Sequence, residues 1–79
     1  MGTVAAEAER RADRRKRLLV LGAGPAQLGL LEAARARGDL EVIALDRDPA
    51  APGFAVADRR AIISTEDERG IHRLAEAER

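Results

Sequence analysis

The sequence predicts a small α/β unit, a parallel three-stranded sheet in the order 3-2-1 with crossover helices, preceded by a charged N-terminal helix or disordered leader. Strand-forming runs at 18–21, 41–45 and 61–63 alternate with helix-forming stretches, the pattern of chains that build parallel sheets. Glycine and proline fall between these runs, at Gly22, Gly24, Pro25, Gly38, Pro49, Pro52 and Gly53. A chain of 79 residues has room for one domain at most.

Composition divides the chain at residue 17. Residues 1–17 hold six basic side chains against three acidic ones, so the formal neutrality of the whole chain is a cancellation of +3 by −3. The leader is rich in helix formers and places Glu7 four residues before Arg11 and Asp13 four before Arg17. It has no apolar face beyond Val4 and alanines, so it is expected to be a solvated extension, with residues 18–79 forming the folded part. The arginines carry no interleaved aromatic and no second basic patch exists, so nucleic acid is not an expected partner.

Leu18 to Leu21 is a continuous apolar run, expected to be a strand buried on both faces. Pro25 sits where a helix begins, and the stretch to Arg37 places Leu28, Leu30, Leu31, Ala33 and Ala34 along it. Arg35 and Arg37 suit the negative end of that helix, and Gly38 supplies a left-handed stop. Glu41 to Leu45 then closes a strand-helix-strand unit of right-handed, parallel type. Asp46 to Ala57 reads as a loop containing the single aromatic, Phe54. Ala61 to Ile63 is a short third strand, and Thr65 with Glu68 fits a capping box opening a last helix whose inner face is Ile71, Leu74 and Ala75.

Seventeen of the 36 hydrophobic residues are alanine, which leaves a thin core. The absence of cysteine excludes disulfides, thiolate metal sites and thiol nucleophiles. No apolar run approaches a membrane span and no signal-peptide pattern opens the chain, so the expected location is cytoplasmic. His72 stands alone, without a second histidine to make a metal site, and reads as a surface residue. Asp46 and Asp48 with Asp58 could suggest a metal or acid–base pair, but Asp46-Arg47-Asp48-Pro49 reads as turn chemistry, and Ser64 and Thr65 read as capping residues without a base; no residue is expected to be catalytic and no metal ligand is expected.

The stretch from Gly22 to Gly29, between a strand and a helix, is the most informative. A glycine pair there permits a tight turn and lets a ligand approach backbone amides at a helix start. Asp46, 22 residues after Gly24, stands where an acid meets a ribose hydroxyl, which would make this a small NAD(P) or nucleotide module. Two departures oppose that reading: Gln27 replaces the third glycine, and Pro25 deletes an amide from the turn. Gly29 could still serve close packing of helix on strand. An exposed first strand could instead make the chain an interaction module that dimerises there.

Further along, the G-x-G-P-x-x-L-G turn is followed by Asp46, by Pro49 and Pro52-Gly53, by Ala57-Asp58, and by Ser64-Thr65-x-Asp67 opening a helix. In that order and spacing, residues 17–78 resemble the N-terminal, Rossmann-like domain of ATP-grasp ligases, the group of carbamoyl phosphate synthetase large chain, biotin carboxylase and carboxylate-amine ligases. The resemblance implies a partial Rossmann-like sheet that lines the acceptor side of a ligase, with Gly22, Gly24, Gln27 and Asp46 as substrate-binding residues. It implies ATP and magnesium for the complete enzyme, bound between later domains, and no cofactor in this chain. The implied partners are those ATP-grasp domains, in cis or in trans, and a small-molecule acceptor; a homo-oligomer through the first strand is the alternative, and no membrane is involved. The family order 3-2-1-4 would pair a fourth strand with the first.

Overall fold

The computed structural model describes residues 15–79; the expectations for the leader before Arg15 lie outside the described residues. The elements are β1 (Lys16–Leu21), α1 (Leu28–Arg37), β2 (Leu40–Asp46), β3 (Arg59–Ile62) and α2 (Glu68–Glu78). All strands are parallel, with β2 in the centre, so the sheet has the expected order. Register puts Leu18 opposite Val42 and Ile43 opposite Arg59.

Central position decides which apolar run is buried. Val42, Ile43, Ala44 and Leu45 are at most 1% exposed, because β2 has a strand on each side and cover on both faces. The run in β1 was expected to match this and does not. As an edge strand it buries only Val20, while Leu21 is 51% exposed. β1 also begins at Lys16, so Lys16 and Arg17, expected in the leader, are strand residues.

Strand alternation gives the sheet two unlike faces. On one, Val20, Val42 and Ala44 pack against Leu31 and Ala34 of α1 and Ala51 of the β2–β3 loop, with Leu18, Leu40 and Phe54 at the margin. Each large aliphatic buried there contributes about 1.5–3 kcal/mol. Leu30, the neighbour of Leu31 on α1, faces away from this core and is 58% exposed. α1 ends as expected at Gly38, whose φ of +78° suits a residue without a Cβ, and Gly38 N–H closes the turn onto the Arg35 carbonyl at 3.2 Å. The β2–β3 connection contains one short 3-10 turn (Pro52–Ala55), and Arg60 lies over the Phe54 ring there at 5.8 Å.

α2 runs on the other face. Its start differs from the expected capping box: Asp67, not Thr65, is the cap, and its carboxylate accepts the Gly70 amide at 2.9 Å. Ser64 is instead spent on a local turn, its hydroxyl oxygen accepting the Glu66 amide at 3.1 Å, which keeps Thr65 and Glu66 out of the helix. Gly70 is buried against the Asp67 carboxylate with no space for a Cβ. Replacing Asp67 by Ala is expected to cost about 1 kcal/mol, measured by urea unfolding. Ile71 and Leu74 are half-buried, while Ala75 is exposed.

The far end of α2 is fixed by charge. Arg59 donates two hydrogen bonds to the Glu78 carboxylate at 2.7 and 2.5 Å, Arg17 reaches the Glu78 carbonyl at 2.9 Å, and Glu41 accepts from Arg17 at 3.1 Å. The hydrogen bond from Arg59, aided by the positive charge of Arg17, holds the Glu78 carboxyl below its ordinary value of 4.5. A depressed carboxylate pKa stabilises the fold above the ordinary value, and that contribution is lost as pH falls through the depressed one. Glu78→Gln should therefore cost up to about 1 kcal/mol at neutral pH, and the difference from wild type should vanish in urea titrations at progressively lower pH, below 4.5.

Candidate functional site

The strands direct their C-terminal ends, Leu21, Asp46 and Ile62, to one rim, where open parallel sheets bind ligands. After β1 the chain turns sharply. Gly22 takes a φ of +98°, a conformation costly for any residue with a Cβ, while its amide continues the ladder onto the Leu45 carbonyl at 2.7 Å. A short 3-10 turn (Pro25–Gln27) then feeds α1, with Gln27 N–H on the Gly24 carbonyl at 3.0 Å.

The Gln27 side chain folds back over this turn. A Cβ built on Gly22 would lie 3.3 Å from Gln27 Cδ, and one on Gly24 would lie 3.4 Å from its Oε1. The glycines thus make room for a carboxamide.

Asp46 closes the turn from the other side. Its Oδ2 accepts the Ala23 amide at 3.0 Å and its Oδ1 accepts the Asp48 amide at 3.0 Å. These two amides, Asp48 first and then Ala23, hold the Asp46 carboxyl below its ordinary value.

Between these groups lies a crevice of about 450 Å³. It brings together all four expected residues, Gly22, Gly24, Gln27 and Asp46. Leu21 and Arg47 extend its wall, and Ser64, Thr65 and Glu66 form the side toward α2. Its lining offers a neutral carboxamide, two hydroxyls, the Asp46 carboxylate and opposed charges at Arg47 and Glu66. No nucleophile is paired with a base in it. Among the described residues no group of three or more His, Asp or Glu could hold a metal ion. His72 lies outside the crevice, exposed on α2 and 3.9 Å from Glu76.

Several positions depart from the sequence reading. Gly29 faces open space and serves no close packing. That role belongs to Gly53, where a Cβ would meet Leu31 Cδ1 at 2.5 Å and the Ala23 carbonyl oxygen at 2.6 Å. Asp58 does not join the other aspartates. Its carboxylate accepts the Val42 amide at 2.8 Å, toward the opposite end of β2 from Asp46. Pro52-Gly53 stood in the motif set, but nothing local in the sequence says that Gly53 meets Ala23.

The fold is a partial Rossmann-like unit of three parallel strands, with a crevice at the glycine turn on the rim formed by the strands' C-terminal ends. Sequence similarity ties it to the ATP-grasp ligases, as the resemblance implied. The chain is 43% identical over 63 residues to the formate-dependent phosphoribosylglycinamide formyltransferase of Burkholderia vietnamiensis, covering 80% of this chain and 15% of that protein. The enzyme of the same name from Nitratidesulfovibrio vulgaris is 45% identical over 64 residues, covering 80% and 16%. That from Burkholderia cenocepacia is 40% identical over 63 residues, covering 80% and 15%. The chain therefore spans about 15% of the length of the curated relatives it matches. No family model matches it. No helix among the described residues is long and apolar enough to cross a membrane.

Proposed function

We propose that this chain is the acceptor-side unit of a cytoplasmic ATP-grasp carboxylate-amine ligase, acting with ATP-grasp domains supplied in cis or in trans. The observation that carries this reading is the crevice at the glycine turn, in a chain 40–45% identical to segments of formate-dependent phosphoribosylglycinamide formyltransferases. Gly22, Gly24 and Gln27 line the acceptor's place, with the Gln27 carboxamide as the hydrogen-bonding group. ATP and magnesium, which supply phosphoryl transfer in the complete enzyme, belong to the other domains in this proposal.

The geometry disfavours the dinucleotide alternative. A pyrophosphate needs free amides at the turn, and three positions there offer none: Ala23 N–H is spent on Asp46, Gln27 N–H on the Gly24 carbonyl, and Pro25 has no N–H, which leaves only Gly24 and Ala26. The Gln27 side chain also covers the glycines.

The edge of β1 that no other described strand covers is where the ATP-grasp domains dock in this proposal. α1 crosses one face of the sheet from β1 to β2, and α2 packs on the other face, so a crossover of the same right hand runs back from β3 toward β1. Both edges of β2 are taken, and the end of α2 is tied to Arg17 at the start of β1. A groove of about 490 Å³ beside Leu19, Ile43 and Ala75 lies open there. A second copy pairing at the same edge is the competing occupant, and light scattering distinguishes it: a chain that stays monomeric at high concentration excludes the homo-oligomer.

The isolated chain is expected neither to bind nor to hydrolyse ATP, by calorimetry and phosphate release; turnover by pure chain would end this proposal. In an enzyme assembled with the remaining domains, Gln27→Ala should raise KM for the acceptor roughly tenfold, the scale of one lost hydrogen bond, and leave KM for ATP unchanged.

A further inference from the structure

We infer that Asp46 is a positioning residue, whose carboxylate latches the glycine turn after β1 to the loop after β2 and so sets the shape of the crevice. The inference rests on the reading of that crevice as an acceptor site, but its geometry stands without a ligand. Oδ2 holds the Ala23 amide and Oδ1 the Asp48 amide, each at 3.0 Å. The Asp48 carbonyl then accepts the Ala51 amide at 3.0 Å, and Gly53 N–H returns to the Ala23 carbonyl at 2.7 Å. The hydrogen bonds form a closed circuit through two segments 23 residues apart in sequence.

Ala23 is the point on which the circuit closes. It is 0% exposed, and its N–H and C=O are gripped from the same loop, the first by Asp46 and the second by Gly53. Ala23 itself is enclosed, so without the carboxylate its amide loses its protein acceptor and the turn must shift toward the crevice to find another. Movement of Ala23 carries Gly22 and Gly24 with it, and with them the surface against which Gln27 folds. An acid at the end of the second strand invites assignment as a ligand contact. Here each oxygen already accepts an amide hydrogen, and the role that follows is to hold the backbone that meets the ligand.

Amide hydrogen exchange by NMR on the full 79-residue chain tests this in wild type, Asp46→Ala and Asp46→Asn. Asp46→Ala should speed exchange at Ala23 and Gly53 by roughly tenfold and shift the Gly24 backbone amide and Gln27 side-chain carboxamide resonances, with Ile43 and Leu45 amides unchanged. Asp46→Asn keeps one acceptor and turns an NH2 group toward the other amide, so it should release either Ala23 or Asp48 but not both. Unchanged protection at Ala23 and Gly53 would overturn the latch, as would equal acceleration of every amide, which marks general destabilisation. Should Asp46→Ala not fold, the selective release in Asp46→Asn decides alone. None of these readings involves acceptor, so the acceptor assignment fails separately, through an unaltered acceptor KM in Gln27→Ala.

Discussion

Gly53→Ala will destabilise this chain by about 3 kcal/mol, the upper range for overpacking, and lower its melting temperature by roughly 10–20 °C in thermal circular dichroism. The added methyl would lie 2.5 Å from Leu31 Cδ1 and 2.6 Å from the Ala23 carbonyl oxygen. Neither neighbour can step aside cheaply, because Leu31 and Ala23 are both fully buried. A chain of this length has only about 4–12 kcal/mol of stability to lose. Leu31→Ala alone should cost about 2–5 kcal/mol through the cavity it leaves. The double variant should be more stable than the sum predicts, by about 1 kcal/mol, because removing Leu31 Cδ1 removes one of the two clashes. Relief stays partial since the Ala23 carbonyl remains. Strict additivity would show that the loop does not meet α1 at Gly53.

Asp58→Ala should cost about 2–3 kcal/mol and Asp58→Asn less than about 1 kcal/mol, both by urea unfolding. Val42 is completely buried in β2, and its amide points to the side where β3 has not yet begun. The Asp58 carboxylate supplies the missing acceptor at 2.8 Å, while the Asp58 amide donates to the Val42 carbonyl at 3.0 Å. Asp58 thus adds a rung to the ladder before β3 starts. Alanine leaves a buried donor unpaired, whereas asparagine retains an oxygen to accept it. Its ion pair with Arg35, at 3.5 Å and partly solvated, adds little. Equal losses in the two variants would assign the effect to charge instead.

These two residues mark where sequence reading reaches its limit. The strand-helix-strand unit from β1 to β2 was legible because its signals are local: an apolar run, Pro25 near the helix start, and Gly38 in the left-handed stop. The crevice was legible for a related reason, since the ends of parallel strands must share a rim, which brings Asp46 to the glycine turn. Gly53 was not legible as a contact, because only the folded loop brings it within hydrogen-bonding distance of Ala23. The cap of α2 was misplaced by two residues because Thr65 and Glu68 match a capping box as well as Asp67 and Gly70 fit the observed cap. The apolar run of β1 matched a doubly covered strand, although its place at the edge leaves Leu21 exposed. An apolar run reports preference for burial, while the neighbour count of a strand is a property of the sheet.

Asp46 was legible by position but not by role. Its place after the second strand follows from spacing, yet both interpretations of the glycine turn give it that place. Only the direction of its oxygens, toward the Ala23 and Asp48 amides, separates a ligand contact from a latch.

A unit that forms the acceptor side of an ATP-grasp ligase should support turnover when grafted into a complete enzyme. The direct measurement is formyltransferase turnover in a chimera of the Nitratidesulfovibrio vulgaris relative whose matching segment is replaced by residues 17–79 of this chain. The chimera should show ATP- and formate-dependent turnover that falls when Gln27 is changed to alanine. A chimera that folds and binds ATP as the parent does, yet turns over no acceptor at any concentration, would contradict it.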